Sequence, residues 1–505
     1  METFIIGLLI LFIGGALYGR LCQKVFGPDD RKTPAFIKKD GIDFLPMPKW
    51  KNAMINLLNI AGTGPILGPI QGILFGPMAF ISIPIGCVIG GAVHDYFSGM
   101  ISVREGGIQM PEIIRRNTNA VVQRVYIIFI CIVLFLVSVV FIYTPGDIVC
   151  TQVFGSNETA GKVLTWVIYL VIFAYYCVAA LFPIDKIIGK IYPVFGAVLL
   201  FSALGIFTMI FVKDYLLANV WKPWILNGFD FEKYFSYEHF FPVFFVTVAC
   251  GIMSGFHSTQ ITIVSRTIAN EHDGRFIFYN MMIAEGFIAM VWAAGTMAMI
   301  SLGAENLGIT VKLTENGAKY FALVGGMIQQ IPPTSVVGVV CRNVLGSIGG
   351  FVAIIGIIIL PVTSGDTAIR SLRLILAEAM RIKNSDIKKK VILAVVIFFL
   401  IFCVLVLAKN NPNGFNLIWR YFGWSNQVLV VFALSSVVIW LMQHRKKRFL
   451  WIPFIPLLFY SFVTCSYICG AKIGLNLPYG IAYVLGIVFA LLVAVAVILR
   501  GYRKT

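Results

Sequence analysis

Apolar runs long enough to cross a bilayer recur along the whole of this 505-residue chain. A hydrocarbon core about 30 Å thick needs roughly 20 apolar residues in helical form. In lipid, such a run must also satisfy its backbone polar groups internally. Each run therefore predicts a spanning helix, and together they predict an all-α polytopic membrane protein. Thirteen transmembrane helices are expected, near 3–19, 54–75, 78–100, 125–145, 163–182, 191–212, 239–262, 276–301, 346–369, 391–408, 415–442, 451–470 and 479–499.

Composition removes the soluble alternatives. Charged residues make up 12% of the chain, against roughly 25% in a soluble domain. The net charge of +17 does not point to nucleic acid, because the basic residues sit in short loops such as Lys388–Lys390 and Arg445–Arg448. With the N-terminus outside, thirty of the forty Lys and Arg fall on the inner side. The positive-inside rule thus predicts an outer N-terminus and an inner C-terminus. The first run has neither a basic leader nor a cleavage motif, so it reads as a retained helix. The ten cysteines show no metal-site or disulfide spacing. Asn157-Glu158-Thr159 fits the glycosylation pattern in an outer loop.

Two spans carry clustered helix breakers. Asn59 to Pro69 holds Gly62, Thr63, Gly64, Pro65 and Gly68, and Ala249 to Gln260 holds Gly251, Ser254, Gly255, His257 and Ser258. Proline removes an N–H and clashes with the preceding turn, and glycine lowers the cost of unwinding. Unwound backbone at membrane depth is tolerated only against protein or a wet cavity. A matched pair of interrupted spans is the sequence signature of a transporter binding site. The breaks fall five spans apart and in opposite directions. Spans 2–6 and 7–11 are therefore expected to form two inverted five-helix repeats. Residues 61–68 and 252–258 are expected to be unwound and to face each other as the substrate site. The segment 303–345 is neither a span nor a polar loop, and a helical hairpin over the outer face is expected at 318–345.

Ionisable residues inside spans are costly, about 2.5–3.5 kcal/mol each on insertion scales, and mark function. Glu285 and His257 are candidate proton carriers, with structural hydrogen bonding as the other reading. His94 and Asp95 near the inner end of span 3 are a candidate gate or a helix-end pair. Thr363 and Ser364, with Asp366, offer hard oxygen ligands to a cation, or bond back to their own helix. No G-x-x-x-x-G-K-S/T phosphate loop and no H-E-x-x-H occur, so neither ATP drive nor an enzymatic metal site is expected.

The stretches Asn59 to Gly68, Gly91 to Met100, Ser102 to Gly107, Pro111 to Ile114, Cys250 to His257, Glu285 to Phe287, Asp366 to Arg370 and Ser425-Asn426-Gln427 resemble the carbon starvation protein A family. The resemblance implies inner-membrane uptake of pyruvate or peptides in a prokaryote, coupled to protons rather than sodium and without a cofactor. It also implies the LeuT-like 5+5 inverted-repeat core of the amino acid–polyamine–organocation superfamily. By that likeness, carbonyls of Leu58 and Ala61 would face Thr363 and Ser364 as a possible sodium site. The expected organisation is an N-terminal extra helix and inner loop at 1–52, repeats at 53–212 and 213–442, and two peripheral spans at 443–505. A solute sensor on a transporter scaffold is the alternative, as is a sodium-coupled transporter of another small organic solute; a metal-ion or nucleobase transporter is a further substrate alternative.

Overall fold

A computed structural model describes the chain except residues 42, 156–157, 182–184, 315–316, 383–385, 412 and 505; at 158–162, 179–181, 185–193, 387 and 504 it describes the backbone alone. Asn157 of the glycosylation pattern lies outside the described residues.

The apolar runs fold as helices. In chain order these are α1 (Glu2–Phe26), α2 (Lys49–Ala61), α3 (Gly64–Gly72), α4 (79–104), α5 (Met110–Asn117), α6 (Ala120–Val153), α7 (Glu158–Leu181) and α8 (Asp185–Val212). They continue with α9 (Phe240–Thr247), α10 (His257–Val264), α11 (Glu271–Leu302), α12 (Pro333–Ala379), α13 (Ile387–Asn410), α14 (Gly414–Gln443), α15 (Trp451–Gly470) and α16 (Tyr479–Lys504). Among the described residues, ten helices are long and apolar enough to cross a membrane. The expected thirteen are not reached on that measure. Both breaker-rich spans are split into segments, and α7 has only Val163–Val178 as a shorter apolar stretch. Leu17, Phe201, Ile348 and Leu492 are exposed on the outside of the bundle, an apolar surface that suits lipid rather than water.

Local sequence explains the ends. Asn119 caps α6 by accepting from the amides of Val121 and Val122, each at 2.9 Å. Gly346, at φ 75°, breaks α12 into a short first limb and a long second one.

The segment after α11 departs from expectation. Instead of a helical hairpin, β3 (Thr310–Thr314), β4 (Gly317–Val324) and β5 (Met327–Ile331) form an antiparallel sheet; a separate small hairpin pairs β1 (Ile225–Leu226) with β2 (Phe229–Asp230). Val324 pairs with Met327, so Gly325 and Gly326 are a two-residue loop, both with positive φ. That is the tight turn that matches strand twist, and glycine adopts it without strain. Only 333–345 of the expected hairpin is helical, as the first limb of α12. The Tyr320 hydroxyl donates to the Ile70 carbonyl at 2.7 Å and pins the sheet to α3.

At the opposite end of the bundle the basic loops gather. Arg104 Nη2 meets Glu271 Oε2 at 3.0 Å, and Arg31 pairs with Asp29. Thr33 donates to the Ile268 carbonyl at 2.6 Å, and the Met47 amide donates to the Thr267 carbonyl at 3.0 Å. The segment after α1 is thereby fastened across the ends of α4, α10 and α11.

Candidate functional site

The two interrupted helices meet. Between α2 and α3 the chain turns at Gly62, whose φ of 40° and ψ of −148° lie outside helical space. Pro65 falls in the first turn of α3, where its missing N–H costs nothing. Between α9 and α10 the chain runs through extended Cys250 and left-handed Gly251, at φ 105°. The contact is backbone-close. A Cβ on Gly64 would lie 2.0 Å from that of Cys250, and one on Gly251 would lie 3.5 Å from the Pro65 Cα.

The unwound lengths differ from expectation. Gly64 to Gly68 are already helical, so the first break is only Gly62 and Thr63. Once Gly62 has turned the chain, Pro65 starts a new helix rather than prolonging the break. The second break overlaps the expected 252–258: Met253 to Phe256 lie outside helix, but the break already starts at Cys250 and Gly251, which leave helical space, and His257 and Ser258 belong to α10.

Freed backbone at the second break is satisfied by α14. Asn426 accepts from the Phe256 amide at 2.6 Å and donates to Ser254 Oγ at 2.8 Å. Gln427 donates to the Phe245 and Met253 carbonyls at 3.2 and 3.0 Å. Two adjacent amides in an apolar helix were the signal for this role, since a buried amide demands partners.

Beside the breaks lies a chain of four titratable side chains, all fully buried: His94, Asp95, His257 and Glu285. Asp95 joins the histidines, with Oδ1 2.8 Å from His94 Nδ1 and Oδ2 3.0 Å from His257 Nδ1. His257 Nε2 then faces Glu285 Oε2 at 3.4 Å. Backbone near the first break and within the second faces this pair, Ile60 at the end of α2 toward His257 and Gly251 toward Glu285.

The chemistry follows from donor counting. An ionised carboxylate only accepts, so Asp95 assigns both Nδ1 atoms as N–H donors. Neutral His257 then turns a lone pair on Nε2 toward Glu285. A proton on Glu285 and a proton on Nε2 are two placements of the same proton. With Asp95 ionised and the others neutral, the cluster carries one negative charge, and one further proton cancels it. Among the described residues, His257 Nε2, His94 Nε2 and both Glu285 oxygens make no hydrogen bond of good geometry despite full burial. Native interiors leave few such atoms unpaired; others among the described residues lie elsewhere, at Thr144, Thr334 and Trp440 for example.

A sequence model of the family described as Carbon starvation protein CstA matches residues 1–211, 144–336 and 305–467. The chain belongs to the CstA family. An uncharacterized membrane protein of Haemophilus influenzae is 39% identical over 331 residues, 58% of this chain and 89% of that one. The Escherichia coli peptide transporter CstA is 22% identical over 88% of this chain and 77% of its own. The pyruvate/proton symporter BtsT of the same species is 23% identical over 86% and 76%. Among solved structures, a manganese transporter of Eremococcus coleocola superposes with a TM-score of 0.59 at 10% identity, over 92% of this chain and 99% of that one. That likeness shows a shared fold alone.

Within this CstA-family chain, the remaining expected residues are placed as follows. Ser258 Oγ lies 2.9 Å from the Tyr126 hydroxyl, and Gly255 packs on the Asn426 backbone. Gly68 abuts the Thr247 and Val248 backbone. Of the expected cation ligands, Leu58 and Ser364 do converge, but as a direct hydrogen bond: the hydroxyl donates to the carbonyl at 3.1 Å. Thr363 bonds back to the Leu360 carbonyl at 2.9 Å. Ala61 is the last residue of α2, and Asp366 is 3.8 Å from Arg370, one turn on. Among the described residues no three His, Cys, Asp or Glu side chains are arranged to hold a metal ion. His94 and Asp95, expected near an inner gate, sit inside the buried chain with His257.

Proposed function

We propose that this chain takes up pyruvate or a short peptide together with protons, by alternating access, across the cytoplasmic membrane of a prokaryote. The observation that carries this reading is the buried chain His94–Asp95–His257–Glu285, laid against both helix breaks. A proton entering it meets two carboxylates and two imidazoles in series, and its arrival changes the charge beside the backbone that would hold the solute. The solute classes come from the relatives named peptide transporter and pyruvate/proton symporter. The first turn of α3, with Gly62, Thr63, Gly64, Pro65 and Gly68 around it, would present its positive helix end to a carboxylate. Ser254, Gly255, His257 and Ser258 would face it from the other break.

Architecture supports the same reading. Counting each broken pair as one crossing, and α7 as another, gives thirteen crossings. Helices α2–α3, α4, α6, α7 and α8 would form one repeat, and α9–α10, α11, α12, α13 and α14 the other. Three of the five equivalent pairs in the two sets pack closely together: break on break, α4 on α11, α6 on α12. A pseudo-two-fold relation between repeats produces such pairings. For coupling, Ser364 spends its hydroxyl on Leu58 and Thr363 on its own helix, which favours protons over sodium.

Reconstituted vesicles test the proposal. An inward proton gradient should drive accumulation of labelled pyruvate or dialanine without sodium, and a protonophore should abolish it. Accumulation that follows a sodium gradient and ignores the protonophore would sink the coupling.

A further inference from the structure

A cavity of about 700 Å³ lies between α14, α15 and the segment leading into α9. It opens at the end of the bundle opposite Arg104 and Glu271, and it contains none of the break residues. Arg420, in the second turn of α14, lines it. A guanidinium carries five N–H donors in a planar fork. Among the described residues the Arg420 guanidinium donates no hydrogen bond, and its ion pair with Glu238 is long, at 3.9 Å. A planar donor fork on a cavity wall, held there by one long ion pair, is what a carboxylate binds bidentately.

The rest of the wall agrees. Lys472 adds a second positive charge, so two basic side chains oppose the single acid Glu238. Tyr467 is 1% exposed overall and lines the same space. On the facing side His239 is held at φ 53°, with its ring stacked on Tyr479 at 3.8 Å. A non-glycine residue held in the left-handed region persists only where its surroundings fix it, and such residues cluster at binding sites.

The cavity is mechanically joined to the second break. The Trp419 indole donates to the Thr247 carbonyl at 3.3 Å, and a Cβ on Gly423 would lie 2.5 Å from the Val246 carbonyl oxygen. Helix α14 thus rests on the backbone of α9, and Asn426, six residues beyond Arg420, ties down the break itself.

The geometry points to a capture site where Arg420 and Lys472 hold the carboxylate end of the transported solute before it reaches the helix breaks. The inference rests on the proposed uptake for the identity of the solute. Pyruvate and dialanine share the carboxylate, so each serves as a probe, with its amide as the control. Binding to the purified full chain in nanodiscs is measured by calorimetry, and uptake in proteoliposomes. Arg420→Gln should raise KM roughly tenfold with kcat nearly unchanged, the mark of lost solute binding rather than lost chemistry. Lys472→Gln changes an exposed side chain and should raise KM by about threefold, an effect that shrinks with salt. The acid that binds more tightly names the solute, and neither amide should compete. Unchanged KM in both variants, amides binding as well as acids, or a native chain that binds neither acid would overturn the site. Carboxylate binding lost with Arg420 in a chain that no proton gradient drives would keep the capture site and remove the proposed coupling.

Discussion

His257 Nε2 stands 3.4 Å from Glu285 Oε2, and neither side chain has any exposed surface. The two residues come from different helices, α10 and α11, and the first of them begins directly after a helix break. On the proposed coupling, proton transfer between them would need only a small closing of that distance. Glu285→Gln keeps the shape and loses the exchangeable proton. Gradient-driven accumulation should then fall by roughly a hundredfold or more, while exchange of labelled solute at equilibrium persists. His257→Gln should behave alike. Full concentrative uptake by the Glu285 variant would leave that residue a structural role only.

Asp95 is the joint of the chain, because it accepts from both histidines. Asp95→Asn opposes one N–H with another donor. An unmade buried hydrogen bond costs about 1–3 kcal/mol, so the melting temperature in detergent should drop along with uptake. A variant as stable and as active as the native chain would break the link between Asp95 and the relay.

Asn426 holds the second break through Phe256 and Ser254. Asn426→Ala strands both groups, at about 1–3 kcal/mol for each buried partner left unpaired. Thermal unfolding should come earlier and KM should rise, since the unwound segment loses its anchor. Unaltered melting and KM would mean that the break is held by glycine geometry alone.

Ser364 and Leu58 give the ion test. Ser364→Ala deletes one hydrogen bond, worth about 0.5–1.5 kcal/mol, and should lower stability slightly without creating a sodium requirement. Uptake in sodium-free buffer is the measurement. If uptake stops without sodium, and the variant needs more of it, the Leu58–Ser364 contact is a sodium site and proton coupling is wrong.

Topology can be read by labelling. A cysteine at Lys389 should be shielded from an impermeant thiol reagent on intact cells, and one at Lys319, on β4, should react. The opposite pattern would turn the whole bundle over.

Some of this was fixed by local sequence. Runs of apolar residues become helices wherever they occur, since lipid offers the backbone no other partner. Gly62 and Gly251 broke two of them because glycine alone tolerates those angles. The family signature was legible for the same reason, as it consists of short contiguous stretches such as Cys250 to His257.

What tertiary structure decided lies in distances between residues far apart in the chain. Asp95 and His257 are separated by 162 positions, yet meet at 3.0 Å. Leu58 and Ser364, 306 positions apart, close onto each other directly. These residues stand out in the sequence, but it does not show that His94 and Asp95 join Glu285 through His257. The sheet at 310–331 was missed for a related reason. Short alternating strands become stable only when paired, and the pairing partner, not the strand itself, supplies the hydrogen bonds. Helical periodicity and backbone breaks are local properties, readable from neighbours in the chain. Chains of buried titratable groups, hydroxyl-to-carbonyl contacts between distant helices and strand pairing belong to packing, which brings the partners together.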